Sequence, residues 1–171
     1  MNEPPALYGI EPLGKHHDRA AFSCGDEALD RYLRKQARQD HAKDIARVFV
    51  AVGPERHEIA GFYTLSSYTI DLGELPDAQS RRLPRYPEIP AALIGRLAVA
   101  LDHQGQGLGE ILLIDALRRI IETGETVASY ATVVHAINER AVGFYTKYGF
   151  IPYPNHPNHL FLPTATAKQL F

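Results

Sequence analysis

Residues 104–109, Gln104-Gly105-Gln106-Gly107-Leu108-Gly109, place three glycines within five positions. They sit between an apolar β-like run, residues 94–101, and a long amphipathic stretch, residues 110–121. A glycine turn in this setting leaves backbone amides pointing outward with no side chain in front of them. Unpaired N–H groups at a helix start, together with the helix dipole, favour an anion, and phosphate oxygens suit them well. The chemistry open to the segment is therefore to hold a phosphate-bearing molecule by main-chain donors. A tight turn with no ligand is the plainer alternative, and the strand-then-helix setting argues against it.

Further along, Asn138 stands where a helix begins and suits its cap. Ala141, Phe144, Tyr145 and Tyr148 fall at i, i+3, i+4 and i+7, a spacing that by itself describes a core stripe. Tyr145 nonetheless carries a phenol, which with a reference pKa of about 10 keeps its proton at neutral pH and can protonate a leaving group. His135 ends a strand and could help with a proton, though a lone histidine in such a place is more often structural. Arg31, Arg34, Lys35 and Arg38 form a basic stripe on one helix face, while Arg81, Arg82 and Arg85 crowd a proline-rich segment and Arg96 lies on a strand. Such cations can track phosphates, and a charged stripe is equally the mark of a solvated helix face.

These residues need elements to position them. Residues 7–13 read as a first strand. Ser23 and Asp26 stand at capping-box spacing before a helix over 27–42. Residues 47–52 and 58–70 read as strands, the second rich in β-branched and aromatic side chains. Residues 71–90 read as a long loop, with or without a short helix, of the kind that forms a substrate lip or a partner surface; a floppy insertion is the alternative. A central strand over 91–101, a helix over 107–123 ended by Gly124, and a strand over 127–135 follow. A helix from Asn138 stops at Gly149. Residues 150–153 and 159–162 pair as a closing hairpin, and Thr164 opens a last helical turn over 165–171. This order predicts an α/β (α+β) fold, a mixed sheet with helices on both faces.

The 171 residues suffice for one domain with a real core, and 45% apolar content marks a globular chain. No apolar run reaches the roughly 18–20 residues needed to span a bilayer. The polar segment 1–6 lacks a signal-peptide pattern, and the single cysteine, Cys24, cannot form an internal disulfide. A cytoplasmic protein without a membrane partner fits. A net charge of −2 argues against a generally basic nucleic-acid binder but leaves room for local patches.

With that order in place, the chain resembles the GNAT N-acetyltransferases. Gln104-x-x-Gly107-x-Gly109 matches their Q/R-x-x-G-x-G/A acyl-CoA signature, and the order of elements fits over nearly the whole chain. It is most similar to the acetyltransferase toxins of type II toxin–antitoxin systems. The matching pieces are Phe22-Ser23-Cys24-Gly25-Asp26-x-x-Leu29-Asp30-x-x-Leu33, Gly61-Phe62-Tyr63-x-Leu65-Ser66, Ile94-Gly95-Arg96-Leu97-Ala98-Val99 and the glycine turn. Val134-His135-Ala136 and Ala141-x-x-Phe144-Tyr145-x-x-Tyr148-Gly149-Phe150 complete the set.

The resemblance implies a single acetyltransferase domain over 1–171 with splayed central strands. It implies acetyl-CoA as co-substrate, no metal, and transfer of acetyl to the free amine of aminoacyl-tRNA, which blocks translation. The amides of Gln104, Gly105, Gln106, Gly107, Leu108 and Gly109 would hold the pyrophosphate. Leu97 and Val99 would pair with the pantetheine, and an N–H near Ala98 or Val99 would polarise the thioester carbonyl. Phe144 and Asn138 would contribute to the CoA site, and Tyr145 becomes the general acid. The basic residues would meet tRNA, or alternatively an acidic antitoxin tail. A ribbon-helix-helix antitoxin and a homodimer are the expected partners. Two other functions stay open: acetylation of a small amine or protein N-terminus, and a non-catalytic binding module on the same fold.

Overall fold

The computed structural model describes residues 8–171, so the expectations for the polar N-terminal segment and for the start of the first strand at residue 7 lie outside the described residues. The strands are β1 (Gly9–Pro12), β2 (Arg47–Val52), β3 (Ile59–Asp71), β4 (Glu88–Val99), β5 (Ala131–His135), β6 (Ile151–Tyr153) and β7 (His156–Pro163). The helices are α1 (Glu27–Lys35), α2 (Ala37–Ala42), α3 (Asp77–Ser80), α4 (Leu108–Thr123), α5 (Glu139–Lys147) and α6 (Thr164–Ala167). The seven strands form one sheet in the order β1-β2-β3-β4-β5-β7-β6. β1 with β2, β2 with β3, β5 with β7 and β6 with β7 run antiparallel, whereas β4 and β5 run parallel, so the sheet is mixed as expected. The parallel register covers Ala91↔Ala131 to Ile94↔Val134, and β4 continues to Val99 beyond it.

Several local expectations need correction. The helix expected over 27–42 is two helices, because Gln36 leaves helical geometry at φ −122° and ψ −33°. Apolar spacing runs on across the break, so periodicity could not show it. Asp40 secures the corner, accepting from the Tyr32 hydroxyl at 2.8 Å and from Gln36 Nε2 at 2.9 Å. The cap of α1 is Asp26, not Ser23: its carboxylate accepts from the Leu29 amide at 3.1 Å. Asp30 accepts from the Cys24 amide at 2.9 Å, so the reciprocal exchange expected between Ser23 and Asp26 is replaced by two separate contacts. The segment 71–90 holds a 3₁₀ turn at Leu72–Glu74 and the short α3, and β4 already begins at Glu88. β5 begins at Ala131 rather than 127, since turns follow α4 and the Val127 amide bonds back to the Thr123 carbonyl at 2.9 Å. Thr164 does open the last helix, but its hydroxyl donates to the Ser129 carbonyl at 2.8 Å instead of capping that helix.

The chain packs as two compact units, residues 1–66 with 96–116 and residues 67–95 with 117–171. In the first, alternation along β2 sends Val48, Val50 and Val52 to one core with Leu33, Ala37, Phe22 and Phe62. Phe49, on the other face, stacks on Tyr63, whose hydroxyl donates to Asp115 of α4. Within this unit, then, helices cover both faces of the strands. The second unit has its own core of Ile70, Leu75, Ala91, Ala131, Val133, Tyr153 and Phe161. No helix among the described residues is long and apolar enough to cross a membrane.

Gly61 on β3 is required by close packing. A Cβ there would lie 2.9 Å from both the Ala98 carbonyl oxygen and Leu112 Cδ1. Gly61→Ala is expected to lose about 1–3 kcal/mol by overpacking, read as a lower urea midpoint at unchanged slope.

Candidate functional site

A 3₁₀ turn at Leu101–His103 delivers the chain from β4 into the glycine segment. Gly105 and Gly107 adopt φ +78° and +80°, the left-handed region that side chains resist, and a Cβ at either would meet nothing within 4 Å. These glycines therefore serve backbone geometry and an open approach rather than internal packing. The amides of Gly105, Gln106, Gly107, Leu108 and Gly109 have no hydrogen-bond partner among the described residues, and the helix ladder starts at Ile111, bonded to the Gly107 carbonyl at 3.2 Å. The Gln104 amide differs from expectation: it donates to the Leu101 carbonyl at 3.3 Å, so five amides remain rather than six. The Gln104 side chain is a brace, with Nε2 donating to the carbonyls of Cys24 and Val99, each at 3.0 Å. That clamp ties the turn to the end of β4. The residues present fit a diphosphate, because the donors are oriented, unpaired and unobstructed.

On β4, Ala98 is buried in the first unit's core while Leu97 and Val99 are half-buried. The Val99 carbonyl is occupied by Gln104. Arg96 is not a free cation: its guanidinium carbon lies 3.6 Å from the ring centroid of buried Tyr32.

α5 starts at Asn138, whose side chain accepts from the Ala141 amide at 2.9 Å, so the capping role holds. Tyr145 is 8% exposed, and its ring meets Phe144 edge-on at 5.2 Å and Phe150 at 5.3 Å. The core reading of the stripe is met, since the ring packs between Phe144 and Phe150. Burial pushes the phenol up to about 12, which keeps it a proton donor across the neutral range.

The basic residues fall into separate settings. Arg34 and Lys35 line a cavity of about 420 Å³ together with His17, Asp18, Arg19 and Ala20. Arg19 was not foreseen, since it lies in a loop without periodic pattern; its Nη1 donates to the Arg34 carbonyl at 3.0 Å. Arg31 is paired with Glu27 at 3.2 Å, and Arg38 sits on α2 after the break. Arg81, Arg82 and Arg85 are exposed in the other unit.

One cluster has metal-ligand chemistry on paper. Glu11, His16 and His17 bring ligand atoms within 4.8 Å of one another. The Gly14 amide donates to His17 Nδ1 at 2.9 Å, which leaves the ring proton on Nε2, and Nε2 donates to Glu11 at 2.7 Å. The lone pair a metal needs is therefore not available. His17 in turn holds the Glu11 carboxyl below its usual range. Burial raises the Cys24 thiol to about 11, which disfavours the thiolate that a nucleophile needs.

Comparison with known proteins places residues 15–150 in match with the acetyltransferase (GNAT) family. A curated protein of Mycobacterium tuberculosis, described as a tRNA-acetylating toxin, is 36% identical over 153 residues, covering 90% of each chain. The solved structure of AtaT complexed with acetyl-methionyl-tRNAfMet superposes with TM-score 0.87 at 33% identity, covering 96% of this chain and 99% of AtaT. A mutant AtaT toxin bound to the C-terminus of the antitoxin AtaR and acetyl-CoA gives TM-score 0.80 at 30% identity, covering 96% and 97%.

The raised Tyr145 phenol has a consequence for stability. Its folded value lies above the ordinary 10, so its contribution is complete below pH 10 and is lost as pH rises toward 12. Alkaline unfolding should be steeper in the wild type than in Tyr145→Phe over that window, and phenolate absorbance should show one late-titrating tyrosine missing from the variant. Equal pH slopes would contradict the assignment.

Proposed function

The chain belongs to the acetyltransferase (GNAT) family, and we propose that it is a toxin that moves acetyl from acetyl-CoA to the free amine of an aminoacyl-tRNA, blocking translation. The observation that carries the co-substrate is the row of unpartnered amides from Gly105 to Gly109 that leads into α4. The observation that carries the acceptor is likeness over 90% of the chain to a tRNA-acetylating toxin, joined to the fit with AtaT in its complex with acetyl-methionyl-tRNA.

Each step falls to a named group. Gly105 to Gly109 hold the diphosphate by N–H donors, and the helix dipole adds to their field. Leu97 and Val99 offer main-chain atoms to the pantetheine, and an N–H at Ala98 or Val99 polarises the thioester carbonyl. Tyr145 gives its proton to the departing sulfur, a role suited to a phenol that burial keeps protonated. Asn138 caps α5 with its carbonyl oxygen, leaving its side-chain NH₂ for the co-substrate, and Phe144 packs the ring of Tyr145.

The acceptor's phosphates meet the basic residues. Arg34 and Lys35 with Arg19 form a cavity of the right charge, Arg31 and Arg38 extend it along the helices, and Arg81, Arg82 and Arg85 supply a second exposed group. Arg96 contributes through the Tyr32 ring, holding β4 rather than reaching outward. In this reading the whole of 1–171 is one acetyltransferase domain working in the cytoplasm as a homodimer. A ribbon-helix-helix antitoxin neutralises it; a mutant AtaT bound to the C-terminus of AtaR supports the antitoxin partner. Acetylation of a small amine or a protein N-terminus is the competing outcome.

Incubating the protein with acetyl-CoA and total charged tRNA, followed by mass spectrometry of the aminoacyl groups, decides between them. Acetylated aminoacyl esters support the proposal, whereas an untouched tRNA pool with turnover on polyamines or peptides rejects it. Tyr145→Phe should lower the rate by about 10²-fold or more while calorimetric acetyl-CoA affinity stays unchanged. Arg34→Glu should weaken tRNA binding and reduce its salt dependence without altering acetyl-CoA affinity.

A further inference from the structure

We propose that His135 takes the proton from the acceptor's ammonium group, with Tyr68 and His159 setting its ring; the proposal rests on the acetyl-transfer reading above. An ammonium nitrogen has no lone pair, so the amine must lose a proton before it can attack. In the second unit His135 is placed to receive it.

His135 is the last residue of β5 and the first beyond the final β4–β5 pair, Ile94↔Val134. β4 continues past that pair, so His135 stands where the parallel pairing ends. On its other edge it remains in register with His159 of β7. The two imidazoles stack with centroids 4.0 Å apart and 24° between planes, and His156 stacks in turn on His159 at 5.2 Å. Tyr68 meets His135 edge-on, with its hydroxyl 3.4 Å from Nε2. That contact is long for a hydrogen bond and is readily exchanged for a better partner. His135 is open to solvent as a residue, so an acceptor group can reach it.

The surroundings favour a neutral ring. Tyr68 faces it from β3 and His159 from β7, while Tyr153 packs edge-on against His159 at 5.8 Å. The acidic groups Asp71 and Glu74 act on Tyr153, and Glu74 also interacts with His156. Partial burial and then the charge of His159 hold His135 below the usual histidine value, and burial and then His156 do the same to His159. Two rings stacked at 4.0 Å do not both carry charge readily. His135 therefore presents a lone pair at neutral pH instead of a cation.

The proton balance closes. One N–H bond of the ammonium breaks, and its proton goes to the imidazole and then to water. The freed nitrogen pair forms the N–C bond and the C–S bond breaks, its electrons leaving on sulfur. Tyr145 protonates that sulfur, and the second proton shed by nitrogen restores the phenol through solvent. One proton is released per acetyl transferred.

The test is single-turnover acetylation of aminoacyl-tRNA by the full chain at saturating acetyl-CoA, from pH 6 to 8.5. His135→Gln should lose about 10²-fold at pH 6.5 and recover to within about threefold of wild type at pH 8.5, where the amine deprotonates itself. Calorimetric acetyl-CoA affinity should be unchanged. A loss equal at every pH, or no loss, in the presence of an active wild type overturns this proposal alone; a wild type inactive on every charged tRNA overturns the acceptor reading with it. His159→Phe keeps a stacked ring and removes its charge. The His135 titration seen by NMR, and the acid limb of the rate, should both move to higher pH; a limb that stays in place contradicts the mechanism.

Discussion

The dependence runs back to main-chain N–H groups left without partners at the start of α4. Such donors are costly to leave unpaired unless water or a ligand meets them, and they stay in place because Gly105 and Gly107 hold left-handed conformations and Gln104 clamps the turn to Val99 and Cys24. The clamp fixes the start of the helix relative to the end of β4. A phosphate held by the turn would thus be held at a defined place along β4, the strand whose N–H groups are proposed to polarise the thioester. Neutral donors suit this task, because they bind a diphosphate without placing fixed positive charge next to the reacting carbonyl.

The proposed proton transfers depend on the opposite device, burial that keeps groups uncharged. Tyr145 is enclosed by Phe144 and Phe150, and the apolar surroundings favour phenol over phenolate. Partial burial and then His159 hold His135 below the usual histidine value, and burial and then His156 do the same to His159. A donor that does not ionise and an acceptor that does not protonate prematurely are the two states an acyl transfer to an amine needs at neutral pH.

Charge gathers mainly on the surfaces proposed to meet the acceptor. The net charge of −2 conceals an uneven distribution, with Arg19, Arg34 and Lys35 around one cavity and Arg81, Arg82 and Arg85 exposed together elsewhere. Arginine suits both a phosphate-meeting role where it is free and stacking on an aromatic face, as Arg96 does on Tyr32.

The strand and helix order, the glycine turn, the Asn138 cap and the tyrosine stripe were legible in the sequence because each depends on neighbours within a few positions. Period-2 alternation, period-3.6 spacing and glycine tolerance of positive φ are local rules. The break at Gln36 escaped because Asp40 closes it through side chains, and the shifted cap escaped because Ser23 and Asp26 satisfy similar patterns three residues apart. The Arg96–Tyr32 stack, the Arg19 wall of the basic cavity and the His135–His159 pair join residues far apart in the chain. Their partners are chosen by strand register and packing, which no short window of sequence contains, so only the tertiary structure could decide them.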